Sequence, residues 1–412
     1  MIYMKKRSVL LVIVFCISII ILSVNSNNKY LVNEESLATY IDGKKTDSFP
    51  AKGTVAFSKA DCDNNTNIEW DNDNWGLYVT NLSNKVKCNI YFKTGENAVT
   101  KITSLASSDT TNMASDDPDN NIRYIGANPN NYVYFNCDDY NNQTSDTCEK
   151  WRIIGVFNNI EKEDGTKENL IKIIREESIG NYSWDSTDSS VNNGWGVNDW
   201  SKSHMMKLLN PDYDRVSIGG SLYYNSGKGK CYYGGGLETN DCDFTNNGLK
   251  SNITKNSIEN VYWNLGASSY EKLSEPVSNW YNYERSDHTA SSAPKLWLGK
   301  IALLYPSDYG FSTSGGTNIN RSKCLENMYV WSNSDMSDCK NNSYLFINQS
   351  MLTLTVRYDT STHAFYIEDN GKIDGFADMR ANLSIRPTLF LKSNILITSG
   401  DGSLNTPYQL GL

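Results

Sequence analysis

Alternating apolar and polar positions mark the first folded stretch of this chain. Trp75, Leu77 and Val79 share one face of an extended segment, and Cys88, Ile90 and Phe92 share another, with turn residues between them. Residues 29–94 therefore read as a small antiparallel β-domain. From 95 to 121 the chain is rich in Ser, Thr, Asn and Asp with few large apolar residues, the composition of a linker or exposed loop. Its run Asp116-Asp117-Pro118-Asp119-Asn120 lacks the glycine and distal glutamate of a calcium-binding loop and reads as solvated.

Residues 122–412 form a larger unit. Strands are expected at 132–135, 151–157 and 170–174. A short helix capped by Asp199 or Ser201 then places Met205, Leu208 and Leu209 on one side and stops at Asn210-Pro211. A second helix is expected where Asn256 and Glu259 make a capping pattern, Ile258, Val261, Tyr262 and Leu265 make a stripe, and Gly266 ends it. Strands return at 297–304, 344–347 and 351–356. A hairpin joins 364–367 to 373–376 through Asn370-Gly371, and a last strand covers 384–391. Strands, then helices, then strands again predict an α+β domain whose two ends meet in one sheet.

The N-terminus adds an export segment. Lys5, Lys6 and Arg7 precede an uncharged apolar run from Ser8 to Val24, the pattern of a signal peptide or membrane anchor over residues 1–28. Bulky Phe15 before Cys16 argues against a lipidation site, so Cys16 reads as an ordinary apolar residue of the run. The remaining eight cysteines fall into near-neighbour pairs: Cys62 with Cys88, Cys137 with Cys148, Cys231 with Cys242, and Cys324 with Cys339. In an exported chain that is a framework of local disulfides, each worth roughly 3 kcal/mol by the chain-entropy estimate. No pair has CxxC spacing and only three histidines are present, so neither a metal nor a cofactor is expected. Beyond the export segment 35 basic side chains face 47 acidic ones, a balance of −12 that disfavours nucleic acid and anionic lipid as partners. Membrane contact is expected only through the N-terminal segment.

Candidate chemistry is sparse. His204, His288 and His363 lie in contexts typical of surface histidines, and no nucleophile with a base or matched carboxylate pair stands out. Glu284, Arg285, Asp308 and Arg386 are charges embedded among aromatic or apolar residues, where charges persist when paired. They are expected to form structural ion pairs, with Arg386 buried against Glu284 or Asp308. The segment Ser217 to Cys242 sets Tyr223, Tyr224, Tyr232 and Tyr233 among Gly, Ser and Asn, the composition of adaptable binding loops.

Several motifs occur in a fixed order: Val261-Tyr-Trp-Asn-Leu-Gly266, Trp280-Tyr-Asn-Tyr-Glu-Arg285, Trp297-Leu-Gly-Lys-Ile-Ala-Leu-Leu-Tyr-Pro-Ser-Asp-Tyr-Gly310, Ile385-Arg-Pro-Thr-Leu-Phe-Leu-Lys392 and Gly400-Asp-Gly-Ser-Leu-Asn-Thr-Pro-Tyr408. The set resembles a multi-paralogue family of extracellular proteins from low-GC Gram-positive gut bacteria. Their large domain is similar to the C-type-lectin-like and formylglycine-generating-enzyme superfamily. The resemblance covers roughly residues 122–412 and implies a fold rather than one function. Cys324 and Cys339 are too far apart in sequence to match that superfamily's reactive pair, and Glu275-Pro276-Val277 and Val197-Asn198-Asp199-Trp200 do not match its calcium-dependent sugar-binding triplets. The expectation is an extracytoplasmic, secreted or membrane-anchored cell-surface protein, a non-catalytic adhesin or receptor-binding module for a glycan or protein. A secreted enzyme acting on glycan or peptidoglycan, or a structural cell-envelope subunit, is the alternative.

Overall fold

The computed structural model describes residues 37–412, except 64–66, 72–73, 81–86, 187–194, 216–217, 234–238 and 291–292. The expected export segment and Cys16 lie outside these residues. Among the described residues no helix is long and apolar enough to cross a membrane.

Strands β1 (Leu37–Ile41), β2 (Lys44–Thr46), β3 (Val55–Cys62), β4 (Asn67–Asp71), β5 (Gly76–Thr80) and β6 (Cys88–Thr94) build the small domain. Four of them form a sheet in the order β2-β1-β6-β3, and β4 pairs with β5 as a hairpin. Aromatic rings join the two layers. Phe57 stacks on Trp70 at 5.0 Å and Phe92 meets Trp70 edge-on at 5.5 Å. Ile90 and Phe92 are buried, as their alternation requires. One expectation is corrected here, because β1 runs parallel to β6, so the domain is not purely antiparallel. Parallel neighbours need a long crossover, and the chain between β1 and β6 supplies one.

The large domain opens with β7 (Glu96–Asn97), α1 (Ala98–Ala106), β8 (Met113–Ala114), β9 (Ile122–Tyr124), β10 (Tyr132–Phe135), β11 (Glu149–Glu161) and β12 (Lys167–Arg175). Its middle holds β13 (Asn181–Tyr182), α2 (His204–Leu209), the hairpin β14 (Lys228–Tyr232) and β15 (Thr239–Asp243), and α3 (Asn252–Ser257). After these come β16 (Val261–Asn264), α4 (Val277–Glu284), β17 (Leu296–Gly299), β18 (Ile301–Ala302), α5 (Pro306–Phe311), α6 (Arg321–Glu326) and α7 (Ser337–Asn341). It closes with β19 (Met351–Val356), β20 (His363–Ile367), β21 (Ile373–Asp378), β22 (Leu383–Ser384), β23 (Thr388–Phe390), β24 (Leu396–Ser399) and β25 (Gln409–Gly411). The class is α+β.

The central sheet has the order β18-β23-β12-β11-β9-β8, with β10 also on β11, so the two ends of the domain do meet in one sheet. Its middle strands are buried on both faces: Trp151, Ile153, Ile154, Val156 and Phe157 in β11, and Leu170, Ile171, Ile173 and Ile174 in β12. Gly155 is required there because a Cβ would fall 1.9 Å from the carbonyl oxygen of Ile122. A second sheet runs β13-β22-β19-β20-β21, and its β20–β21 turn uses Gly371 at φ 88°.

Three further expectations give way. Residues 95–121 are no linker: Asn97 caps α1 by accepting from Thr100 N, Ala98, Ile102 and Met113 enter the core, and β7 pairs with β24. The stretch from Val261 is a strand, not a helix. Val261 and Trp263 are buried while Tyr262 and Asn264 are half-buried, a period of two that fits pairing with β17. The helix there is α3, which ends before that stretch and is capped by Ser251 through Thr254 N. Tyr344 and Leu345 are buried in a turn rather than a strand. The other expected strands form, with breaks at Lys300 between β17 and β18 and around Pro387 between β22 and β23. Asp199 caps the 3-10 turn Trp200–Lys202, and Ser203 caps α2.

Candidate functional site

The embedded charges decide what the large domain's interior can do. Asp308 lies in α5 and is 1% exposed. Its Oδ1 accepts from Arg123 Nη1 at 2.8 Å, its Oδ2 from Lys172 Nζ at 2.5 Å and from Tyr305 N at 3.0 Å. Arg123 Nε also donates to Asp117 Oδ2 at 2.6 Å. Asp117, Arg123 and Lys172 are as buried as Asp308, so two cations and two anions close on each other without water. The rings of Tyr305, Phe157 and Trp263 stand 4.6, 5.0 and 5.3 Å from Lys172 Nζ. Burial pushes Lys172 down to about 8 despite Asp308, whereas Lys172 and Arg123 outweigh burial at Asp308 and hold it below the usual carboxylate range.

Glu284, at the end of α4, is also sealed. It accepts from Ser307 N at 2.8 Å and from Ser307 Oγ, and Arg285 Nη1 lies 3.3 Å away. Burial nonetheless pushes Glu284 up to about 7. Arg386 is fully buried as expected, but its expected partners are wrong. Neither Glu284 nor Asp308 reaches it, because each is engaged elsewhere. Its Nε donates to the Arg175 carbonyl at 2.8 Å and its Nη1 to the Leu345 carbonyl at 3.2 Å, and the nearest acid, Glu176, stands 3.8 Å from Nη2. Glu284, Asp308 and Arg386 brace the core and present no surface to a ligand, whereas Arg285 is partly exposed. The run 116–120 is a loop with Asp116, Pro118, Asp119 and Asn120 exposed, as expected, whereas Asp117 turns inward and also accepts from the backbone and side chain of Asn121.

The four tyrosines do not converge. Tyr223 is fully buried against Phe244, because the glycines around it make turns that press the segment onto the core. Tyr223 therefore cannot reach a ligand, contrary to expectation. Tyr224 is half-buried beneath Lys255, Tyr232 meets the His204 ring edge-on at 4.9 Å, and Tyr233 alone is exposed. All four local disulfides are present, and Cys231–Cys242 clips the β14–β15 hairpin. Such bridges persist in oxidising compartments and point to an extracytoplasmic protein.

His204 corrects another reading, being 1% exposed rather than on the surface. Burial pushes it down to about 4. Between about 4 and 6.5 the unfolded chain binds this proton and the folded chain does not, so His204 makes stability rise with pH by about 3 kcal/mol across that window. Glu284 has the opposite sign, because from 4.5 to about 7 the folded chain holds a proton that the unfolded chain has lost. The two contributions offset each other where they overlap. His204→Leu should therefore leave a protein that loses stability as pH rises from about 4.5 to 7, read from urea midpoints. A variant profile parallel to the parent's would refute the assignment.

The open feature is a cleft of about 730 Å³ where the small domain meets the large one. The small domain contributes the stacked Phe57 and Trp70. Opposite them α3 presents Asn252, Ile253 and Asn256, with Ile253 54% exposed, and Asn394 comes from the stretch before β24. Among the described residues the side chains of Asn252, Asn256 and Asn394 form no hydrogen bond. One rim is the loop clipped by Cys137–Cys148, which carries Asp138, Asp139, Tyr140 and Asn141. Tyr140 ties it down, its hydroxyl accepting from Asn136 N at 3.1 Å and meeting Thr254 Oγ1 at 2.8 Å. Asn141 bridges the domains: its Oδ1 accepts from Ser58 Oγ at 2.7 Å and its carbonyl from Lys93 Nζ at 3.3 Å. Gly411 allows the close approach, since a Cβ there would lie 2.3 Å from that of Ala56.

The chain matches no family model, no curated protein and no solved structure.

No single sequence signal pointed to this cleft, whose walls come from residues hundreds of positions apart. The nearest was the Cys137–Cys148 pair. Replacing both with serine should lower stability by roughly 3 kcal/mol, the entropy estimate for so short a loop. Scanning calorimetry without reductant checks it, and an unchanged melting temperature would show that the bridge constrains nothing.

Proposed function

We propose that this chain is an extracytoplasmic, surface-located protein that captures a glycan or protein ligand without catalysis, and that the ligand binds in the cleft between its two domains. The observation that carries this is the cleft itself. It falls in the roughly 300–1,000 Å³ range of ligand sites, with an aromatic wall and convergent polar groups. Glu284, Asp308, Lys172 and Arg386 are closed to solvent, so none of them meets a substrate. The basic start and the apolar run to Val24 support export or anchoring, and the ordered motifs from Val261 to Tyr408 support a C-type-lectin-like large domain.

Binding of the full-length chain to glycan and protein arrays tests the proposal. Saturable binding without product release is expected, and Ile253→Arg should weaken it at least roughly ten-fold, the cost of placing a large charged group on an apolar contact. Because Ile253 is exposed, the variant should melt with the parent. Release of product, or a variant that binds as tightly as the parent, would sink it.

A further inference from the structure

We infer that the ligand of this cleft is an uncharged oligosaccharide, held by the amides of Asn252, Asn256 and Asn394 against the Phe57–Trp70 stack; the inference rests on the cleft being the binding site. Asn252 and Asn256 are exposed and Asn394 is half-buried, which sets them apart from the buried asparagines of this chain. Asn121, Asn131, Asn136, Asn198 and Asn210 are buried, and each spends its side chain on the protein's own backbone or side chains. In the cleft, by contrast, three amides gather with nothing of the protein to bind. Each offers one acceptor and two donors. Sugar hydroxyls, which both donate and accept, match that set without bringing charge.

The charges around the cleft point the same way, because they are already occupied. Asp138 is paired with Lys250 at 2.7 Å, Asp139 accepts from Asn141 N at 2.8 Å, and Asp71 accepts from Asn74 N at 2.9 Å. Lys93 donates to the Asn141 carbonyl, and Lys392 is also partnered. Three aspartates against two lysines leave an acidic sugar facing net repulsion, and a cationic ligand would have to break existing contacts. The aromatic pair and Ile253 supply apolar area for the C–H faces of sugar rings. An extended peptide could otherwise use the outer edge of β3. That edge carries Lys59 paired with Asp61 and a bulge between Phe57 and Lys59, features that discourage strand addition.

The test titrates the full-length chain with maltotetraose, N-acetylchitotetraose, sialyllactose, a heparin-derived tetrasaccharide and unstructured peptides, at low and at molar salt. Binding of at least one neutral oligosaccharide is expected, changing less than about two-fold with salt because no ion pair forms. Asn252→Ala with Asn256→Ala should weaken it roughly ten-fold or more through lost hydrogen bonds. Tight, salt-sensitive binding of the sialylated or sulfated sugar, or of peptides instead of sugars, would overturn the uncharged class. If Ile253→Arg abolished that binding too, the cleft would still stand as the site. Neutral sugar binding untouched by Ile253→Arg and by the double alanine variant would overturn the cleft and this inference together.

Discussion

Asp308→Ala is expected to destabilise the protein by about 3–5 kcal/mol, the loss typical when one partner of a buried pair is removed. The alanine would leave Lys172 buried among aromatic rings with no anion and Arg123 with only Asp117. It would also take an acceptor from Tyr305 N. Adding Lys172→Met should recover a substantial part of the loss, because the double variant keeps the Arg123–Asp117 pair and strands no charge. Urea denaturation of both variants measures this. A single variant within about 1 kcal/mol of the parent, or a double variant with strictly additive losses, would show that the four groups do not act as a unit.

Arg386→Ala is expected to cost about 3 kcal/mol for a different reason. Its guanidinium is fully buried, and burial together with Arg152 and Arg175 outweighs Glu176 and pulls it down to about 10. The charge itself is thus poorly compensated. What stabilises the fold is the volume of the side chain and its bonds to the Arg175 and Leu345 carbonyls. Arg386→Met keeps most of the volume and removes the uncompensated charge, so it should regain at least half of the loss. If methionine proved as damaging as alanine, the polar contacts of the guanidinium with the two carbonyls and Glu176 would outweigh its volume.

What was legible in the chain was local. The four disulfides follow from cysteine spacing, because a short loop brings its own ends together. The runs around Trp151 and Leu170 announce strands buried on both faces, and Asn370-Gly371 announces the hairpin because its turn needs a positive φ. That Asp308 and Arg386 would be buried was readable from their apolar neighbours, and the one long-range exception, the meeting of the domain's two ends, from the order of strands and helices.

Partners were not readable. Arg123, Lys172 and Asp308 come from β9, β12 and α5, and the stretch that carries Asp117 read as linker because its polarity looks the same whether water or Arg123 satisfies it. Val261 to Leu265 fits a helical stripe or a strand in so short a window, and pairing with β17 decided it. Tyr223 and Tyr233 share a composition but are buried and exposed respectively, because only the packed core distinguishes them. The cleft arises where β3, the Cys137–Cys148 loop, α3 and the approach to β24 converge. Chain order thus determined the elements and their clips. Long-range contact determined which charges pair, which tyrosines face out and where a ligand can enter, since those outcomes depend on distances between residues far apart in the chain.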